Sequence, residues 1–199
     1  MSLELSLSLG NMNWCEEMWI EIYDRAKKKG KIIDAKLGEH EFQYALINPK
    51  DGYQRERIST TKEPYKYTSS VTFWIKDKLK ENGVGLNEGG LAFVLENALP
   101  RKDFGDYVGL HEHIETLNGI DHGRACKVEL EEVFKKEQEF IDSYAAWLIE
   151  LTNKSKNPKE GYFERAIPDF LFVVKECNLT STQILKEFKK QLDLGYHLD

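Results

Sequence analysis

Gly109-Leu110-His111-Glu112-His113-Ile114-Glu115-Thr116-Leu117-Asn118-Gly119-Ile120-Asp121-His122-Gly123-Arg124-Ala125-Cys126 decides how the 199-residue chain is read. Upstream of it apolar periodicity alternates between strand-like and helical, and downstream it is helical. The same stretch holds three of the five histidines, two glutamates and one of the three cysteines. On a helix each residue turns about 100°, which places Tyr107, Leu110, Ile114 and Leu117 on one core stripe. His111 and Glu115, four residues apart, share one shoulder of that stripe, where side chains at i and i+4 meet. His113 falls on the other shoulder, and Glu112 is expected to face nearly away from the core. Gly119 ends this helix, and Asp121 is placed to cap the next, with His122 in its first turn. His122, Cys126 and Glu129 then follow at i, i+4 and i+7.

An antiparallel hairpin of the two helices would bring His111, Glu115 and His122 together, because a short connection favours neighbours. Two histidines and a carboxylate with open positions suit a divalent metal such as Zn, Fe or Mn. The expected site therefore has His111, Glu115 and His122 as metal ligands and Glu112 or Glu129 as acid/base, with hydrolysis as the reaction class. His111-Glu112-x-x-Glu115 partly resembles the HExxH helix of zinc metallopeptidases, with Glu115 in place of the second histidine. The resemblance implies a ligand role for His111 and water activation by Glu112; it covers five residues and assigns no family. Cys126 lies on the core stripe, where a thiol is expected to be inert. Glu137 projects close to the same stripe if the helix runs on unbroken; exposure beyond neighbouring helices is the alternative.

Working outward, residues 3–9 alternate Leu3, Leu5, Leu7 and Leu9 with polar residues, the pattern of a half-buried strand. Trp14, Cys15, Met18, Ile22 and Ala26 keep helical spacing up to Gly30. Residues 31–37 and 41–48 are strand-like, and 53–60 would return as a hairpin after Asn48-Pro49-Lys50-Asp51-Gly52. A helix over Val71, Trp74, Ile75 and Leu79 follows, then another over Leu91, Val94, Leu95 and Ala98, for which a buried strand through 91–95 is the alternative. Beyond the central stretch, one long helix is expected from 122 to about 152. Tyr162 to Cys177 follows, started or interrupted by Pro168. The last helix has Thr180-x-x-Gln183 as its capping box and Gly195 as its stop.

The fold class is α+β: a small, mainly antiparallel N-terminal sheet with packed helices, then a helical C-terminal half. A single domain over 1–199 is expected, sheet-containing to about 100 and helical from about 101, since no linker divides it.

An apolar share of 41%, a charged share of 31% and a net charge of −6 describe an ordinary globular chain without a broad basic face. Nucleic-acid binding through Lys27 to Lys31 with Arg55 and Arg57 is therefore disfavoured. Three widely spaced cysteines fit a reducing, cytoplasmic setting, and no apolar run is long enough for a membrane span. The competing reading is a non-enzymatic interaction or regulatory protein without metal. Its partner surface, for another protein or a second copy, would draw on Trp14, Trp19, Trp74 and Trp147.

Overall fold

The structure is a computed structural model that describes residues 21–48, 85–88, 91–117, 121–154 and 162–195. Residues 21–28 are helical (α1). Four strands follow, β1 (Ile32–Leu37), β2 (His40–Ile47), β3 (Gly85–Glu88) and β4 (Leu91–Leu95). Six further helices complete the described chain: α2 (Phe104–Leu117), α3 (His122–Val133), α4 (Gln138–Lys154), α5 (Tyr162–Ala166), α6 (Phe170–Lys175) and α7 (Ser181–Asp193). Among the described residues no helix is long and apolar enough to cross a membrane. The α+β architecture expected from the sequence is the one observed.

The sheet runs in the order β1-β2-β4-β3. β1 and β2, both expected as strands, pair with each other as an antiparallel hairpin, and β3 pairs antiparallel with β4. The central pair, β2 with β4, is parallel, with Tyr44 opposite Ala92. The helix expected over Leu91 to Ala98 is not formed: Leu91–Leu95 is a strand, followed by one 3-10 turn at Glu96–Ala98. The reason is two-sided burial. Ala92 and Val94 face the larger core with Phe42 and Tyr44, while Phe93 and Leu95 pack with Ala45, Ile47, Ile22 and Ala26. A strand with both faces covered is apolar throughout and loses the alternation that identifies it. The expectations for 3–9, 53–60 and the helix over Val71 to Leu79 lie outside the described residues.

α1 covers one face of the sheet, and α2 covers the other. α3 packs on the far side of α2, with α7 against α3 and α4. α2 is thus enclosed on two sides, and ten of its fourteen residues are buried. This overturns the orientation expected for Glu112, which is buried, and for Leu117, which is exposed at the helix end.

The long helix expected over 122–152 is two helices. After Val133 the backbone tightens, with Lys135 N–H donating to Glu132 C=O and Lys136 N–H to Val133 C=O. Lys135, Lys136, Glu137 and Gln138 are all exposed, so no apolar contact holds a helix straight through them. The turn lets α4 lay Phe140, Tyr144 and Trp147 on Phe104, with ring centroids 5.2, 4.8 and 5.2 Å apart. Glu137 sits exposed at that turn, the alternative allowed by its sequence position. Trp147 is buried and donates its Nε1–H to Ala98 C=O at 3.3 Å, so it offers no partner surface. Trp14, Trp19 and Trp74 lie outside the described residues. The capping box at Thr180 and Gln183 is formed as expected, and Lys31 of the basic run pairs with Glu96 at 2.6 Å.

Two glycines set how closely α2 approaches the sheet. Gly105 and Gly109, one turn apart, both face the Tyr44 ring, whose hydroxyl donates to Asp106 at 2.9 Å. A Cβ at Gly109 would overlap that ring at Cγ and Cδ1, atoms too close to the backbone to swing aside. Gly109→Ala, a change that ordinarily favours a helix by about 1 kcal/mol, should here destabilise the protein by about 1–3 kcal/mol through overpacking. Urea unfolding of the variant beside wild type measures the sign, and a stabilised variant would disprove this packing.

Candidate metal centre

Asp121 accepts a hydrogen bond from Arg124 N at 2.8 Å and thereby caps α3, which fixes His122 in the first turn as expected. α3 then presents His122, Cys126 and Glu129 on the side that meets His111 and Glu115 of α2. These five side chains are 7, 0, 1, 5 and 3% exposed respectively, so their charges have almost no water to rely on.

Each polar atom is instead held by another. His111 Nδ1 donates to Glu129 Oε2 at 2.7 Å, and Glu129 Oε1 accepts from the Tyr144 hydroxyl at 2.6 Å. His122 Nδ1 donates to Glu115 Oε1 at 2.6 Å and stands 3.1 Å from His111 Nε2. His111 Nε2 is 3.4 Å from Glu115 Oε1, and Arg165 of α5 reaches the same oxygen at 3.2 Å. His122 Nε2 donates to the Tyr162 carbonyl at 2.9 Å, and Cys126 Sγ lies 3.5 Å from that nitrogen.

Electrostatics follow from this packing. At Glu115 burial favours the neutral acid, but hydrogen bonds from His111 and His122 and the Arg165 charge hold it well below the usual carboxylate range. At His122 burial opposes the charged ring, yet the Cys126 thiolate and the bond to Glu115 raise its pKa to about 9. His111 is also raised, against burial, by Cys126, Glu115 and Glu129. Burial pushes the Cys126 thiol up, and the two histidines more than reverse that, bringing it below its ordinary value.

Three residues expected as ligands, His111, Glu115 and His122, are therefore brought together. Glu129 is in the same cluster, but both its oxygens serve as acceptors for His111 and Tyr144. Glu112 lies about 100° round α2 from His111, and His113 stacks on Phe42 with ring centroids 5.8 Å apart. Sequence reasoning set Cys126 aside as an inert core thiol. One ligand atom from each of His111, His122 and Cys126 lies within 4.8 Å of the others, so this buried group could hold a metal ion. The i, i+4 spacing from His122 was the available signal. Tyr144 arrives from α4, and Tyr162 and Arg165 from α5, so none of them leaves a local signal.

No family model matches the chain, and neither does any curated protein or solved structure.

The raised His122 and depressed Glu115 give the stability of the metal-free protein a defined pH dependence. His122 stabilises the fold fully below its unfolded-chain value of about 6.5 and loses that contribution as pH rises through about 9. Glu115 stabilises above its unfolded value of about 4.3 and loses its contribution as pH falls. Thermal unfolding of the metal-free protein should therefore show a Tm that declines as pH rises towards 9 and also falls at acid pH as Glu115 and Cys126 lose their charge. In His122→Gln the decline above pH 6.5 should flatten; an unchanged slope would remove His122 as its source.

Proposed function

We propose that the protein is a metalloprotein that holds one divalent transition-metal ion between α2 and α3, with His111 Nε2, His122 Nε2 and Cys126 Sγ as ligands. The observation that carries this reading is that both imidazoles give their Nδ1–H to a buried carboxylate, His111 to Glu129 at 2.7 Å and His122 to Glu115 at 2.6 Å. A carboxylate on one ring nitrogen fixes the tautomer and raises the basicity of the other, which is how metal-bound histidines are commonly oriented. Tyr144 and Arg165 in turn hold the two carboxylates. The 3.5 Å between His122 Nε2 and Cys126 Sγ matches the edge of about 3.5 Å that tetrahedral bonds of about 2.0–2.1 Å to nitrogen and 2.3 Å to sulfur define. Imidazole with thiolate favours zinc or iron over manganese.

A second triplet, His111 Nε2, His122 Nδ1 and Glu115 Oε1, is the one read from the sequence, and its edges are 3.1, 2.6 and 3.4 Å. A single ion takes only one nitrogen of His122, so the two triplets exclude each other. The thiolate set is preferred because it leaves both carboxylates where they are, the ion taking the place of the proton that His122 Nε2 gives to the Tyr162 carbonyl. In it Glu129 and Glu115 orient ligands, and a hydrolytic role, with Glu112 or Glu129 as acid/base, is an extension that rests on a water reaching the ion.

Purified protein, reduced and titrated with Zn²⁺ against a chromophoric chelator, should bind one ion per chain. His111→Ala and His122→Ala should abolish binding, while Glu129→Gln and Glu115→Gln should weaken it by about 10- to 100-fold. With Co²⁺, wild type should show a thiolate-to-cobalt charge-transfer band that Cys126→Ser lacks. A silent Cys126→Ser with a binding-dead Glu115→Gln would transfer the site to the carboxylate triplet. If wild type takes up no Zn²⁺ or Co²⁺, the cluster is a hydrogen-bonded ion-pair network and the metal reading fails.

A further inference from the structure

One backbone oxygen takes the protons of two of the three proposed ligands. His122 Nε2 donates to the Tyr162 carbonyl at 2.9 Å, and the Cys126 thiol donates to the same oxygen at 4.0 Å. The two donors are themselves 3.5 Å apart. The carbonyl belongs to the first residue of α5, a helix that packs on α3 and buries Phe163 and Ala166. A third helix thus meets the cluster through its main chain.

An ion bound by His122 Nε2 and Cys126 Sγ displaces both of those protons, because ligation requires a neutral imidazole nitrogen and a thiolate. The oxygen that accepted them then faces the ion. Deprived of its two donors, a buried carbonyl forfeits hydration with nothing in return, whereas a cation in their place satisfies its lone pairs. The distances come within reach of a tetrahedral position. Bonds of about 2.0–2.1 Å to nitrogen, about 2.1 Å to oxygen and 2.3 Å to sulfur define edges of about 3.4 Å from oxygen to nitrogen and about 3.6 Å from oxygen to sulfur. Against the observed 2.9 and 4.0 Å, a slide of the carbonyl by about 0.9 Å from His122 towards Cys126 meets both edges.

We infer that the Tyr162 backbone carbonyl is the fourth ligand of the ion, closing its coordination together with His111, His122 and Cys126. This rests on the metal reading above and specifies the use of that site. Four protein ligands mark a structural ion, whereas three with an exchangeable position mark an ion available for chemistry. The bound ion is then a clamp that ties α5 to the α2–α3 pair, and it leaves no position for a hydrolytic water. Burial agrees with that role, since His111, His122 and Cys126 are at most 7% exposed.

Amide exchange in α5, followed by mass spectrometry on the whole chain with and without Zn²⁺, tests this. Without metal, α5 is held to α3 through the bonds to its carbonyl. Zn²⁺ removes those bonds, so the direction of the change reports what replaces them. With the carbonyl on the ion, peptides covering 162–167 should exchange about 10-fold more slowly at Zn²⁺ in tenfold excess over its dissociation constant. Tyr162→Phe, which keeps the carbonyl, should bind Zn²⁺ and slow the exchange as wild type does. Cobalt-loaded wild type should keep its visible d–d bands unchanged on titration with azide. Three outcomes overturn the inference while the metal reading stands: α5 exchange that quickens or stays constant as Zn²⁺ binds, azide that shifts the cobalt bands, or loss of Zn²⁺ binding in Tyr162→Phe. Failure of wild type to take up either metal would instead sink the metal reading, and this inference with it.

Discussion

Two histidines, two carboxylates and a thiol are buried together where α2 meets α3, and the fold must keep them paired. Removing a single partner from such a group leaves a charge in a medium that solvates it poorly, at several kcal/mol. The pairing therefore ties α2 to α3 in one register: His111 must meet Glu129, and Glu115 must meet His122, at the same time. α4 and α5 are drawn into the same constraint, through the Tyr144 hydroxyl on Glu129 and through Arg165 and the Tyr162 carbonyl. Four helices thus converge on one polar core within an otherwise apolar interior.

The sheet supplies the rigid backing for this arrangement. α2 is held on its outer side by Tyr44 against Gly105 and Gly109, so its inner side, carrying His111 and Glu115, is fixed relative to α3. The aromatic layer of Phe104, Tyr107, Phe140 and Tyr144 does the same for Glu129, because Tyr144 belongs to both the apolar stack and the polar cluster. A site whose side chains are locked from behind by packing and hydrogen bonds holds its geometry within the narrow tolerance that ligation requires.

The atoms that share protons in this cluster are the ones that could hold a metal ion. In the hydrogen-bonded form positive charge is carried on imidazolium groups between Glu115, Glu129 and Cys126, and an ion would replace those protons with its own charge at the same place. Ligation and protonation compete for imidazole nitrogen and thiolate sulfur, which is why the pKa shifts and the ligand geometry point to one location.

How much was legible locally depended on how local the physics was. The capping box at Thr180, the Asp121 cap, the strands β1 and β2 and the i, i+4 pairs His111/Glu115 and His122/Cys126 all depend on residues a few positions apart, and each stands in the structure. Convergence of His111, Glu115 and His122 followed from the short joint between two helices. What required the tertiary structure was decided by distant surfaces. Leu91–Leu95 became a strand because both its faces are covered, and the expected long helix divided because Phe140 and Tyr144 pack on α2. Glu129 changed from a candidate acid/base to the partner of His111, and Cys126 from a core thiol to a neighbour of two histidines, because burial left each of them only those partners. The sequence by itself determined which residues could meet on one helix face; the packing of four helices against a sheet decided which of them share a site, since only there does the absence of water force every charge to find another.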